Sequence, residues 1–268
     1  MRIYLNEKPI EIDAPATTFT LCQAFKPLAD VVVLNSFIVK EEMDLKEDDR
    51  VTLIERGEMP SQEDLEALMV SRHTVGVHQK VKNATVAIAG LGGLGSTCAV
   101  SLARMGVGKL ILVDFDVVEP SNLNRQQYFI RHIGMDKTQA LRGLLADINP
   151  FIEVVTETAL VTEANVSSLF GQADILVEAF DNPVAKAMLL STWLQEQAGK
   201  PIVTGSGMAG SYSSNTVVTR KVMKNAYVVG DGHQEARQGC GLMAPRVGVA
   251  ANHQANMVLR LILGESDV

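Results

Sequence analysis

The chain has 268 residues, of which 47% are hydrophobic and 21% charged, a composition that allows one or two globular domains with a sizeable core. The formal net charge of -7 argues against a nucleic-acid partner, which usually leaves a basic footprint. No run approaches the roughly 20 apolar residues that span a membrane, and the N-terminus lacks the basic and apolar segments of a signal peptide, so we expect a cytoplasmic protein.

Residues 1–57 predict a compact α+β domain. Apolar residues alternate with polar ones in two short segments, and Asn6-Glu7-Lys8-Pro9 supplies turn chemistry between them. The expected elements are strands around 3–5, 10–12, 31–34 and 51–54 and a helix at 20–25. Strands and a single helix in this order are typical of a small mixed module.

Residues 58–82 predict a helical linker. Ser61 precedes a segment in which Leu65, Leu68 and Met69 have helical spacing, which indicates an N-capped amphipathic helix.

From residue 83 to residue 268, short apolar runs alternate with helical patterns. Strands are expected at 86–89, 110–113, 153–156, 175–178 and 201–204, with helices at 96–105, 137–147, 185–196 and 247–263. The glycine- and serine-rich residues 205–215 predict a loop, and residues 220–240, which contain several glycines, are expected to be mobile. The alternation indicates an α/β domain with a Rossmann-like, mostly parallel sheet covered by helices on both faces.

A glycine-rich motif lies between the first strand and the first helix of this domain. Gly90, Gly92 and Gly95 satisfy G-x-G-x-x-G, in which glycines allow a tight turn, close approach of the backbone to phosphates and close helix packing. Amides at the start of the helix can then bind phosphate oxygens. Asp114 ends the next strand, where a carboxylate can accept hydrogen bonds from ribose hydroxyls. These features suit a nicotinamide-dependent oxidoreductase as well as an ATP enzyme.

The polar segment at 121–127 favours ATP, because an ordinary dinucleotide domain does not need an arginine there. An enzyme that cleaves ATP must stabilise the charge of the leaving pyrophosphate. Arg125 offers a permanently charged, fork-shaped set of donors for phosphate oxygens. Lys137, which opens a predicted helix, can supply a second positive charge.

Asp181 follows the strand at 175–178, at the edge where open α/β sheets bind ligands. Its carboxylate is a candidate for holding Mg²⁺, which prefers carboxylate and phosphate oxygens. An equally plausible role is to cap the helix that starts near Pro183. The residues alone leave both roles open.

Together these residues resemble the ThiF, MoeB and ubiquitin-activating enzyme superfamily over about residues 70–268. The matching segments are GLGGLGS at 90–96, DFD at 114–116, SNLNRQ at 121–126, Lys137, Asp181 and GLMAP at 241–245. The resemblance implies adenylyltransferase activity with ATP and Mg²⁺. The ATP-binding residues that it implies are Gly90, Gly92, Gly93, Gly95, Asp114, Asn122, Arg125, Gln126 and Lys137. The implied catalytic residues are Arg125, Lys137, Arg72 and Asp181, the last of which would coordinate magnesium.

Members of this superfamily also use an arginine that precedes the glycine-loop domain and reaches into the partner subunit's site. Arg72 is the only lysine or arginine of residues 58–79 and is the counterpart that the resemblance implies. A homodimer is therefore expected.

Residues 1–57 resemble ThiS, the ubiquitin-like sulfur carrier of thiamine synthesis. The resemblance implies a β-grasp domain and a partner of the same kind, a carrier with a C-terminal Gly-Gly. In a working carrier the carboxylate of that tail is the reactive group, whereas this chain continues past Arg56-Gly57 to Glu58-Met59. We therefore interpret the segment as a degenerate carrier with a docking, regulatory or structural role.

The three cysteines depart from the pattern of some relatives. Cys22, Cys98 and Cys240 lie far apart and form no CxxC pair, so we expect no zinc site and no disulfide framework. Cys240, next to GLMAP, is the only candidate for thioester or persulfide chemistry, and a structural role is favoured for it. Cys98 lies inside a predicted helix and is expected to serve packing.

Two other functions remain open. A nicotinamide-dependent oxidoreductase would need only the glycine motif and Asp114, but it leaves Arg125, Lys137 and the ThiS-like segment unexplained. A non-enzymatic protein that binds carriers would not need the charged residues that adenylation requires, yet this chain contains them. Activation of a sulfur carrier for thiamine biosynthesis accounts for more of the sequence than either.

Overall fold

A computed structural model describes the backbone of residues 1–268 and every side chain except those of residues 62 and 63. The chain divides into two compact units, residues 1–78 and 79–268. Within the described part of the chain, no helix combines the length and the apolar character needed to cross a bilayer.

The first unit contains a five-stranded sheet and a short helix packed on it. Its elements are β1 (Arg2–Leu5), β2 (Lys8–Glu11), α1 (Thr18–Phe25), β3 (Val31–Leu34), β4 (Phe37–Val39), β5 (Arg50–Ile54) and α2 (Gln62–Val70). The strand order is β2-β1-β5-β3-β4, and only β1 and β5 pair in parallel. The core consists of Ile3, Leu21, Leu45, Val51 and Leu53. The predicted β-grasp fold is confirmed.

Caps define the two helices of this unit. The Thr17 side chain accepts a hydrogen bond from the amide of Thr20, and Thr20 returns one to the backbone of Thr17. Ser61 caps α2 by accepting from the amide of Asp64 at 3.2 Å, which confirms the predicted N-cap. A further helix, α3 (Val77–Lys82), follows at the boundary between the units.

The second unit is built on a seven-stranded sheet. Its elements are β6 (Thr85–Ala89), α4 (Gly93–Met105), β7 (Lys109–Asp114), α5 (Lys137–Ile148), β8 (Glu153–Thr158), α6 (Val166–Phe170), β9 (Ile175–Glu178), α7 (Pro183–Glu196), β10 (Ile202–Gly205), β11 (Val218–Met223), β12 (Ala226–Gly230) and α8 (Ala244–Leu263). The strand order is β11-β12-β10-β9-β6-β7-β8, and all neighbours are parallel except β11 and β12.

The strands at the centre of this sheet are buried on both faces, which explains why they are continuous apolar runs rather than alternating ones. Helices α4, α5 and α8 pack against one side, while α6 and α7 pack together on the other, where Phe170, Leu189 and Trp193 fill the core. The predicted Rossmann-like architecture with helices on both faces is confirmed.

The strand order creates a crevice at one edge of the sheet. The chain passes from β6 through α4 to β7 on one side, and β9 then pairs on the other side of β6. Ligands of open α/β sheets bind beyond the carboxyl ends of the strands where the order reverses in this way. The residues that follow β6, β7 and β9 are therefore brought to the same edge.

Two local predictions are wrong. Helix α4 starts at Gly93, not at residue 96. Neighbouring atoms lie so close to the first residue of the helix that only glycine fits there, although glycine is a weak helix former. No strand was predicted after residue 204, whereas β11 and β12 follow at 218–223 and 226–230. Strand β11 lies at the edge of the sheet and has three consecutive polar residues, 219–221, in its middle, so its sequence lacks the apolar run of a central strand.

Candidate functional site

The glycine motif forms the turn between β6 and α4, and its glycines serve different purposes. Gly90 has a φ of +90°, a conformation that favours glycine, and a Cβ there would lie 2.8 Å from the carbonyl oxygen of Ala179. A Cβ on Gly95 would overlap the carbonyl oxygen of Gly90. Gly92, the N-cap of α4, has open space around it, with Gln126 Nε2 nearest at 3.8 Å. The loop is thus tightly packed on its protein side and open above the helix N-terminus.

Asp114 ends β7 and fixes the glycine loop. Its Oδ2 accepts a hydrogen bond from the amide of Leu91 at 2.6 Å, and its Oδ1 accepts from the amide of Asp116 at 2.8 Å. Burial raises the pKa of the Asp114 carboxyl, and these two hydrogen bonds and the charge of Lys137 oppose that rise. Tyr128 supports the same turn by donating from its hydroxyl to the Leu91 carbonyl at 2.8 Å.

The polar segment after β7 lies against the N-terminus of α4. The amide of Gln127 donates to Ser96 Oγ at 3.2 Å, and Ser96 Oγ donates in turn to the Gly92 carbonyl at 2.6 Å. A Cβ on Gly93 would lie 3.5 Å from Arg125 Cγ, so the arginine stem passes over the start of the helix. Arginine and helix amides are therefore adjacent, a favourable arrangement for anions.

The polar side chains of this segment differ in whether their hydrogen-bonding atoms have partners. Arg125 donates to the Ser121 carbonyl at 3.1 Å and to Asn124 Oδ1 at 2.8 Å, and it has no carboxylate partner in the described part of the chain. Asn122 is buried, and its Oδ1 accepts from the amide of Glu119 at 3.1 Å. Gln126 is buried too, and its Oε1 has no hydrogen-bond partner among the described residues. A buried polar atom without a partner near an open loop indicates a place for a polar ligand.

Lys137 is the first residue of α5, as predicted, and its side chain is buried. Its Nζ donates to Asp116 Oδ2 at 2.8 Å, while Asp116 is about half exposed. This lysine therefore lies beside the Asp114 turn with its charge directed to the carboxyl edge of the sheet.

The loop after β9 shows that Asp181 does not have the capping role left open for it. The helix cap is Asn182, whose Oδ1 accepts from the amides of Val184 at 2.9 Å and Ala185 at 3.0 Å. Asp181 is exposed, and among the described residues its carboxylate has neither a hydrogen bond nor an ion pair. Capping therefore does not occupy Asp181, and its carboxylate is available to a ligand.

Arg72 is exposed in the first unit, two residues after α2 ends. Its contribution to a partner subunit's site stays a prediction.

Two buried charges next to the crevice were missed by the sequence analysis. Glu178, at the end of β9, is fully buried and paired with Lys186 at 2.8 Å. Arg246, at the start of α8, is buried and paired with Asp231. It also donates to the carbonyls of Tyr212 and Ser213 at 3.0 Å and 2.6 Å, so it joins the loops that follow β10 and β12. Only the segment GLMAP just before Arg246 gave a signal in the sequence.

The three thiols are free and differ in exposure. Burial raises the pKa of Cys98 to about 12, whereas Cys22 and Cys240 are half-buried. The thiolate is the reactive form, so we expect iodoacetamide at pH 8 to leave Cys98 unmodified in the folded protein and to modify it in urea. Peptide mass spectrometry measures this. Modification of Cys98 at the rate of Cys240 in the native state would contradict the packing role of Cys98.

Within the described residues, no group of three or more histidine, cysteine, aspartate or glutamate side chains is arranged to hold a metal ion. Asp181 therefore has no protein carboxylate or imidazole cluster around it. A single carboxylate combined with substrate phosphates is a common way to bind Mg²⁺, so the residues present fit a magnesium ion that arrives with ATP.

Comparisons with known proteins agree with this architecture. Residues 66–268 match the ThiF family, and residues 1–57 match the ThiS-like ubiquitin family. The chain is 31% identical over 194 residues to the molybdopterin-synthase adenylyltransferase of Escherichia coli, covering 69% of this chain and 76% of that protein. It is 30% identical over 200 residues to the adenylyltransferase and sulfurtransferase MOCS3 of Drosophila grimshawi, covering 72% and 44%.

Among solved structures, E. coli tRNA N6-threonylcarbamoyladenosine dehydratase in complex with ATP aligns with a TM-score of 0.68 at 20% identity, over 77% of this chain and 98% of that one. This likeness concerns the fold. The chain spans about half the length, or less, of several curated relatives that it matches. Because the family match extends over most of the sequence, the chain belongs to the ThiF family.

Proposed function

We propose that this chain transfers AMP from ATP to the C-terminal glycine carboxylate of a ubiquitin-like sulfur carrier. The observation that carries the proposal is the set of groups at one sheet edge. An open helix N-terminus at Gly92 lies beside Arg125, and the buried Lys137 follows the neighbouring strand. The carboxylate of Asp181, which has no partner among the described side chains, follows the strand on the other side. This set supplies donors for a triphosphate and an oxygen ligand for its metal.

The reaction needs little acid or base chemistry. A carboxylate oxygen of the carrier's terminal glycine attacks the α-phosphorus of ATP, the bond from that phosphorus to the bridging oxygen breaks, and pyrophosphate leaves with the electron pair. The product is an acyl-adenylate. Because the carboxylate is already ionised at neutral pH, the protein must mainly bring two anions together, and positioning can contribute roughly 7–11 kcal/mol.

Each proposed residue has a task in this step. The amides at the start of α4 bind phosphate oxygens, and the unpartnered Oε1 of Gln126 accepts a hydrogen bond from an N–H or O–H group of the nucleotide. Arg125 and Lys137 stabilise the charge of the departing pyrophosphate, and such donors are each worth about 2.7–4 kcal/mol in related oxyanion sites. Asp181 would hold Mg²⁺, which when bound neutralises phosphate charge. Asp114 holds the loop, and its remaining lone pairs accept hydrogen bonds from the ribose hydroxyls.

The first unit supports a carrier of the thiamine pathway as the substrate, because that unit itself matches ThiS-like proteins. Gly57 is exposed with a φ of +84°, and the next residue, Glu58, forms an ion pair with Lys26. The carrier-like unit thus offers no terminal carboxylate at this point, and we assign it a docking or regulatory role.

We also propose a homodimer in which Arg72 of each subunit completes the site of the other. The segment between β7 and α5 exposes Phe129, Ile130 and Ile133, an apolar surface that an association between subunits can cover.

Carrier-dependent ATP–pyrophosphate exchange tests the proposal. We expect the full chain with Mg²⁺ to incorporate labelled pyrophosphate into ATP only when a ThiS-like carrier ending in Gly-Gly is present, since exchange requires a reversible acyl-adenylate. A carrier that lacks its last glycine is the control. Tight NAD binding without ATP binding in calorimetry would support an oxidoreductase, and carrier binding without exchange would support a scaffold.

A further inference from the structure

The carboxylate of Glu178 joins three elements at the edge of the crevice. Lys186 of α7 donates from Nζ to Oε1 at 2.9 Å and to Oε2 at 2.8 Å, and Thr204 of β10 donates from its hydroxyl to Oε2. The amide of Phe180, in the loop after β9, donates to Oε1 at 2.7 Å. Lys186 Nζ also donates to the Gly205 carbonyl at 2.7 Å. A single buried group therefore connects this loop to a helix and to the neighbouring strand.

This network fixes the chain on both sides of Asp181. Before it, the amide of Ala179 donates to the Ala89 carbonyl at 2.8 Å, and the amide of Phe180 is held by Glu178. After it, the Asn182 side chain caps α7. The backbone of Asp181 is thus restrained while its carboxylate remains exposed and, in the described part of the chain, without a partner.

A buried ion pair is weak evidence for a role in stability, because apolar residues that pack well often stabilise a fold as much. The connection to the loop that carries a metal-ligand candidate suggests another role. Metal ligands must be held within about 0.5 Å of their productive position, and hydrogen bonds from groups behind them provide that restraint.

We propose that the Glu178–Lys186 pair positions the Asp181 carboxylate for the Mg²⁺ ion that binds with ATP. This inference rests on the proposed function. Glu178 is a positioning residue: it acts by fixing the amide of Phe180 and the start of α7, and it does not contact the nucleotide. Lys186 pairs with the buried carboxylate and connects it to the Gly205 carbonyl at the end of β10.

Calorimetry of ATP binding with Mg²⁺ and with EDTA tests the inference without measuring turnover. In the wild-type chain Mg²⁺ should tighten ATP binding. In Glu178→Gln we expect this gain to fall by about tenfold, the effect of one lost charge-assisted hydrogen bond, while the affinity in EDTA stays the same. Asp181→Asn should lose the same gain. A merely structural role would change the two affinities together or change neither.

Further variants keep the test decisive if Glu178→Gln does not fold. Lys186→Met removes the same pair from the other side and should lose the gain, whereas Lys186→Arg, which can still pair with the carboxylate, should retain most of it. Lys109→Met is a matched control, since it breaks the 3.0 Å ion pair with Glu153 at the amino end of the sheet. It should retain the full gain.

The outcomes separate the inference from the proposed function. A gain that is lost in Asp181→Asn but retained in both Glu178→Gln and Lys186→Met would overturn the positioning role alone. Absence of Mg²⁺-dependent ATP binding in the wild-type chain would overturn the proposed function itself.

Discussion

Arg125→Ala and Asp181→Ala are each expected to lower the rate of carrier-dependent ATP–pyrophosphate exchange by about 10²–10³-fold, the usual effect of removing one transition-state donor from a preorganised site. Arg125 is held only by neutral acceptors, and Asp181 is exposed and unpaired in the described part of the chain, so neither substitution breaks an ion pair there. The free energy of unfolding should change by no more than about 0.5 kcal/mol.

Steady-state exchange and thermal melting of the same samples measure both effects. Arg142→Ala and Asp147→Ala are matched controls, because both residues are exposed on α5 away from its first turn. They should leave exchange and melting unchanged. Exchange at the wild-type rate in both Arg125→Ala and Asp181→Ala would refute the assignment of the site.

Gly95→Ala is expected to destabilise the second unit by at least about 3 kcal/mol, the upper end of the range for overpacking a core. The added Cβ would overlap the Gly90 carbonyl oxygen and lie 2.9 Å from the Gly90 carbonyl carbon and 3.2 Å from Ile88 Cγ2. Backbone atoms cannot change rotamer, so the strand and the helix must move apart. For a unit of this size the melting temperature should fall by about 6–12 °C.

Substitutions at two other glycines distinguish this steric clash from the general effect of replacing a glycine and from an effect on ligand binding. Gly143 in α5 has no neighbour within 4 Å of an added Cβ, and Gly143→Ala should stabilise the protein by about 0.5–1 kcal/mol. Gly92→Ala has room in the fold but fills the space above the helix N-terminus, so it should keep the melting temperature and weaken ATP binding by about tenfold or more. Full ATP affinity in Gly92→Ala would place the phosphates elsewhere.

Three of the predicted site residues lie at or just after the ends of strands. Gly90 follows β6, Asp114 ends β7 and Asp181 follows β9 within three residues, so the alternation of strands and helices is enough to bring them to one edge. The parallel central strands are short, continuous apolar runs without the helical spacing of a surface helix, and for this reason their positions were predicted closely.

The buried pairs could not be predicted because the tertiary fold, and not the local sequence, brings the partners together. Glu178 meets Thr204 only because β9 pairs with β10, and it meets Lys186 only because α7 returns over the same strands. Nothing in the local sequence around any of these residues specifies that neighbour. The pair of Arg246 and Asp231 is equally hard to predict, since it forms only because of the path that the chain takes from β12 to α8.

The start of α4 and the edge strand were mispredicted for local reasons. Glycine has a low helix propensity, so the residues before Ser96 looked like loop, although contact of Gly93 with Val247 of α8 requires a residue without a side chain. In β11 the polar residues 219–221 interrupt the apolar pattern and concealed a strand, although its hydrogen bonds to β12 do not depend on apolar side chains.

In the proposed site, Asp181 binds the cation and the adjacent Asn182 caps α7, two roles that one aspartate could have combined. If a single carboxylate both capped α7 and bound a cation, each arrival of the cation would withdraw it from the backbone amides and fray the first turn of the helix. With the amides of Val184 and Ala185 satisfied by the neutral Asn182, the helix is equally well formed before and after a metal–nucleotide complex is loaded. The first turn of α7 therefore does not have to fray and form again each time the nucleotide binds and leaves.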